Sequence, residues 1–188
     1  MKNKDPRTRY TEKMIQNEMI RLLSEKPINK ITVQEICTGV MINRSTFYDH
    51  YVDIYDLFDK TEEAFIKQAL EIHEPQKTPS GIEERKETYL KLCSFYQENK
   101  ELFLTYDGPN GDPDFIRKIS DGIIAWTGEL AKETRLNYQS EIEQKMALIY
   151  LTEGTYAIIY DWLKNHPELS KESVADLLCR LNFRGIDA

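Results

Sequence analysis

Arg44, Ser45, Thr46, Tyr48 and His50 crowd a guanidinium, two small hydroxyls, a phenol and an imidazole into one short segment. Such a set does its chemistry by donating hydrogen bonds to fixed acceptors. A guanidinium matches guanine O6 and N7 in a bidentate way, and hydroxyl or ring donors suit phosphate oxygens. On a short helix with these side chains facing out, the segment suits the major groove of duplex DNA. The bland alternative is a solvated charge at Arg44 and half-buried packing at Tyr48.

To present those groups, the flanking residues must fold as two short helices and a tight turn, over about 32–51. Thr32 and Glu35 form a capping box that satisfies orphan N–H groups at a helix start. Val33, Ile36 and Cys37 then share one helical face. Asn43 is placed to cap the second helix. Phe47 and Tyr51, four residues apart, turn inward behind the outward set.

Helices are predicted along nearly the whole chain. Asp5-Pro6 opens one with the stripe Met14, Ile15, Met19, Leu22 and Leu23, ended by Pro27. Asp53 caps a longer helix with buried face Ile54, Leu57, Phe58, Phe65, Ala69 and Ile72, and Pro75 to Gly81 breaks the pattern. A Ser80–Glu83 capping box opens the next, marked by Ile82, Tyr89, Cys93 and Tyr96. After a break from Asp107 to Pro113, Asp112-Pro113 restarts a helix carrying Phe115, Ile119, Ile123, Trp126 and Leu130. Ser140 and Glu143 cap a helix to about Lys164, apolar on most of its circumference and so covered on more than one side. Ser170 opens the last, with Val174, Leu177, Leu178 and Leu181. No segment alternates strictly enough to predict a sheet. The expected fold class is all-α, about nine helices: a helix-turn-helix head over 1–52 and a larger helical body over 53–188, with 53–72 as linking helix.

Apolar residues at 40% and charged residues at 30% indicate a soluble, folded chain. No apolar run approaches the roughly 18 residues a membrane helix needs, so no membrane partner is expected. MKNKDPRTRY has no apolar stretch behind its charges; it is not expected to be a signal peptide, and cytoplasmic residence is expected. The net charge is −7, yet residues 1–52 hold nine Lys or Arg against six Asp or Glu, +3, leaving −10 beyond them. That asymmetry fits a DNA-facing head on a body that repels phosphate. Cys37, Cys93 and Cys179 are read as small core residues, and His50, His73 and His166 lack clustered partners, so neither metal nor cofactor is expected. Glu62-Glu63 and Glu83-Glu84 are read as solvated helix surfaces. With no Cys/His pair, glycine-rich phosphate loop or nucleophile elbow, an enzyme is not expected.

The run Ile31-Thr32-Val33, Ile36-Cys37, Asn43-Arg44-Ser45-Thr46-Phe47-Tyr48, His50-Tyr51 and Asp56-Leu57 resembles the head of the TetR-type transcriptional regulators, ungapped over about residues 8–60. Gly154 to Leu163 and Ser170 to Leu178 resemble that family's last two helices, which pair into a four-helix dimer bundle. Two positions depart from the family pattern. Met41 stands where a turn glycine is usual, and Ile54 replaces a lysine that often meets a phosphate.

The resemblance implies a DNA-binding set of Thr32, Asn43, Arg44, Ser45, Thr46, Tyr48 and His50, with Thr32 offering its N–H to a phosphate. Arg7, Arg9 and Lys4 form either a groove-reaching arm or a solvated terminus. It implies an effector pocket among Tyr89, Cys93, Tyr96, Phe103, Phe115, Ile119, Ile123, Trp126 and Tyr156, taking a small apolar or aromatic molecule; a plain aromatic core is the alternative. It implies a homodimer through the last two helices, reading a palindromic operator in double-stranded DNA as a repressor that the effector releases. Control by a protein partner, with activation of transcription, is the alternative on the same fold.

Overall fold

The computed structural model describes residues 5–73, 82–134 and 140–184. Among them it has nine α-helices and no strand: α1 Pro6–Glu25, α2 Val33–Val40, α3 Arg44–Tyr48, α4 Ile54–His73, α5 Ile82–Glu98, α6 Lys100–Tyr106, α7 Phe115–Thr134, α8 Glu141–Asn165 and α9 Lys171–Arg184. The all-α expectation holds. The chain divides into two compact units, Met1–Phe65 with Thr105–Pro113, and Ile66–Leu104 with Asp114–Ala188.

In the first unit, Asp5 accepts from Arg7 N at 2.9 Å with Pro6 at the first helical position. Arg7 and Arg9 therefore lie inside α1, neither as a frayed end nor as a free arm; Lys4 lies outside the described residues. Ile15, Met19, Leu22 and Leu23 of α1 are buried with Ile36, Phe47, Tyr51, Ile54 and Leu57. Burial of such a side chain contributes about 1.5–3 kcal/mol. The 105–113 segment joins this unit by hydrogen bonds: Tyr106 OH donates to Phe58 O at 2.8 Å, and Asn110 Nδ2 to Leu23 O at 3.1 Å. Glu62 departs from the solvated helix surface expected of it. Glu62 is only 2% exposed, not solvated, because Tyr106 packs nearby from far along the chain. Burial above all, and the Glu62 charge second, push the Tyr106 phenol up.

In the second unit α5 packs on α9 and α7 on α8. Lys86 Nζ meets Asp176 Oδ1 at 2.8 Å across the first pair, and Ser120 Oγ donates to Glu153 Oε1 at 2.8 Å across the second. One break was not visible in the sequence. Asn99 separates α5 from α6, its Nδ2 donating to Phe95 O at 2.8 Å, a side-chain bond that competes with helical continuation. Likewise α7 starts at Phe115, its first backbone bond running from Lys118 N to Asp114 O, rather than at Asp112-Pro113. The Ser80–Glu83 box lies outside the described side chains.

Candidate nucleic-acid interface

Local chemistry builds the interface from α2 upward. Glu35 N donates to Thr32 Oγ1 at 3.2 Å and Thr32 N to Glu35 Oε2 at 3.0 Å, so the capping box is complete. The Lys26 ammonium and the Thr32 hydroxyl, in that order, hold the Glu35 carboxyl below its usual range. At the other end of α2, Met41 takes φ 56° and ψ 44°, the left-handed conformation that favours glycine. Ile42 N reaches back to Cys37 O at 3.0 Å, the bond that closes a helix at such a residue. The turn keeps its shape and Met41 bears the strain.

Asn43 occupies the N-cap position of α3, with no side-chain cap bond. Arg44 to Tyr48 form the helix, and Tyr51 N to Phe47 O at 2.9 Å extends its bonding. Phe47 is fully buried, with its ring 5.6 Å from Tyr48 and 5.8 Å from Tyr51. Burial pushes the Tyr51 phenol up to about 12, so it stays neutral and its oxygen accepts from Gln16 Nε2 at 3.3 Å. In front of this anchor, Asn43, Arg44, Ser45 and Tyr48 are exposed, Thr46 is half-buried, and Thr32 is exposed at the head of α2.

His50 departs from expectation. Its side chain is only 10% exposed and Nδ1 lies 3.3 Å from Glu12 Oε1 on α1, so it faces the head's own interior. Ile54 is buried, and the position of the missing lysine offers no cation. Past it, Asp56 N donates to Asp53 Oδ1 at 2.8 Å and Val52 N to Asp56 Oδ2 at 2.9 Å, closing the start of α4.

In the second unit, Tyr96, Phe103 and Tyr156 meet edge to face, at 4.6 Å and 5.5 Å from Tyr96, and Phe103 lies 6.2 Å from Phe115. Cys93, Ile119 and Ile123 are buried too, while the Trp126 side chain lies outside the described residues. Tyr89 is half-buried. Asn182 Nδ2 donates to its hydroxyl at 2.6 Å and to Thr155 Oγ1 at 3.0 Å, a polar junction of α5, α8 and α9. Sequence reasoning missed Asn182 and Thr155, since both look like ordinary surface residues on their helices. Burial raises the Tyr89, Tyr96 and Tyr156 phenols and pushes the Cys93 thiol up to about 12.

Residues 83–183, over half the chain, match the model of a TetR-type transcriptional regulator C-terminal region. The chain belongs to the TetR family. It is thereby a transcriptional regulator and not an enzyme. This TetR-family chain is 21% identical over 160 residues to YhgD of Bacillus subtilis, an uncharacterized HTH-type transcriptional regulator, covering 78% of this chain and 81% of that one. A putative TetR-family regulator from Syntrophomonas wolfei shares its fold at a TM-score of 0.66 and 18% identity, over 93% of each chain. So does FadR from Bacillus subtilis, solved in complex with stearoyl-CoA, at 0.63 and 14%, over 93% of this chain and 98% of that. No helix among the described residues is long and apolar enough to cross a membrane.

Proposed function

We propose that this TetR-family protein is a dimeric repressor whose two heads read a palindromic operator and exclude polymerase. The observation that carries the reading is the outward face of α3, with Arg44, Ser45 and Tyr48 exposed while Phe47 and Tyr51 anchor it from behind. Asn43, Arg44, Ser45 and Thr46 are the proposed DNA contacts, with Tyr48 on a phosphate. Thr32, expected to offer its N–H to a phosphate, instead donates both N–H and hydroxyl to Glu35 Oε2 and leaves the set. Self-association is supported by α8, where Ile142 is 73%, Met146 66% and Tyr150 67% exposed on one side of the helix. A two-fold interface is self-complementary, so one apolar stripe can cover its own copy.

A small apolar or aromatic effector in the body releases the operator. The tyrosine- and phenylalanine-rich second unit supports that class. The long acyl chain of the stearoyl-CoA held by FadR belongs to it, which makes acyl-CoA thioesters the first compounds to titrate against bound operator. The proposed route of the effector's action is α4, one continuous helix with residues in both units. The effector must favour the released state; about 1.4 kcal/mol of difference changes operator affinity tenfold.

Selection of bound duplexes from a random pool tests the reading. The expected result is a two-fold symmetric consensus with half-site centres about 34–36 Å apart, or a multiple of it. No enrichment, or a consensus without symmetry, overturns it.

A further inference from the structure

Gln34 stands outside the outward set read from the sequence, yet two hydrogen bonds tie it to that set. Arg44 Nε donates to Gln34 Oε1 at 3.0 Å, and Gln34 Nε2 donates to Thr38 Oγ1 at 3.2 Å. The amide orientation follows from chemistry. Arginine only donates, so the amide oxygen must face it, leaving the NH2 group for the threonine hydroxyl. The relay therefore crosses the turn, from the start of α2 to the first residue of α3.

Both partners are exposed, so the bond adds little to stability. What it does is choose an edge. A guanidinium grips a two-acceptor target with two parallel N–H groups, either Nε with one Nη or the two Nη groups together. With Nε committed to Gln34, the Nη pair is the edge left free. We propose that Gln34 is a positioning residue for Arg44: it occupies Nε, turns the Nη edge toward the base, and so sets base preference at the pair Arg44 reads. The inference rests on the reading of Arg44 as a DNA contact.

The test uses the full chain, the duplex recovered from random-pool selection, and all its single-base variants. Arg44→Ala identifies the base pair concerned by the loss of discrimination there. Gln34→Ala is expected to lower discrimination at that same pair by about tenfold, within the worth of one bidentate contact, with an unchanged melting temperature. In the Arg44→Ala background it should change nothing. Gln34→Glu keeps an acceptor for Nε, so preference at that pair should survive although the added charge weakens binding to every duplex alike. An equal effect of Gln34→Ala with and without Arg44 means that Gln34 touches DNA itself, and the proposal falls. It falls too if Gln34→Glu loses preference as fully as Gln34→Ala, or if Gln34→Ala changes nothing where Arg44→Ala does. Full affinity and preference in Arg44→Ala would overturn the DNA reading of Arg44 and the inference with it.

Discussion

Met41 shows how a single backbone angle can be weighed. Left-handed backbone costs a residue with a Cβ roughly 1–2 kcal/mol, whereas glycine, freer in the unfolded chain, costs folding roughly 0.5–1 kcal/mol. The first is larger and Met41 is an exposed side chain, so Met41→Gly is expected to stabilise the protein by about 0.5–1 kcal/mol. A lower urea midpoint for the variant would refute this. Phe47 lies at the other extreme. Its ring is fully buried behind the recognition face, and Phe47→Ala should cost about 3–5 kcal/mol through the cavity it leaves. The same denaturation series reads that loss, and a cost below about 1 kcal/mol would mean that the ring is no anchor.

At the scale of elements, α2 and α4 both begin on a carboxylate held below its ordinary range. For Glu35 the chief cause is the Lys26 hydrogen bond, and for Asp56 the Lys60 one, at 2.8 Å. A lowered folded-state value means that both caps stabilise fully above the unfolded carboxylate value. They are lost as pH falls through the lowered ones. Acid titration followed by circular dichroism should show stability falling below the ordinary carboxylate range, with a shallower fall in Glu35→Gln; identical curves would remove Glu35 from that role. Glycines divide the elements by what stands opposite. A Cβ at Gly39 would meet the Glu18 carboxylate at 2.3 Å, the movable end of a side chain paired with the exposed Arg21. Gly39→Ala gains up to about 1 kcal/mol of helix propensity but displaces a Glu18 side chain that is 13% exposed and held by two hydrogen bonds from Arg21, and it is expected to be close to neutral. A Cβ at Gly111 would sit 2.0 Å from the Tyr106 carbonyl oxygen, which is backbone. Gly111→Ala should therefore destabilise by about 1–3 kcal/mol, and melting temperatures of the pair should move in opposite directions or one alone should fall.

For the whole molecule, the decisive face is that of α8. The sequence reading predicted that its apolar circumference must be covered on more than one side. Within one chain, Leu148, Thr152, Tyr156, Ile159 and Trp162 are covered, whereas Ile142, Met146 and Tyr150 are not. No large apolar side chain of α9 is exposed among the described residues, so of the last two helices it is α8 that carries the uncovered apolar stripe. If that stripe meets its copy, Met146→Glu buries an unpaired charge twice per dimer and should weaken association by at least about tenfold. Sedimentation equilibrium measures it. A wild-type monomer at micromolar concentration, or a variant that associates as well as the wild type, would end the dimer proposal.

Local rules sufficed for much of this protein. The Thr32–Glu35 box, the Asp53 cap, Pro6 at a first helical position and the Phe47–Tyr51 spacing are near-neighbour patterns, so the sequence by itself determined the helices of the head and which face of α3 looks out. Tertiary structure decided whatever depends on a partner distant in the chain. It buried Glu62 near Tyr106, turned His50 to Glu12, linked Arg44 to Gln34 across the turn, and joined Tyr89 to Asn182. Helical periodicity specifies which residues share a face. It carries no record of what packs against that face, and so a charged or amide side chain destined for burial reads in the sequence like one destined for water.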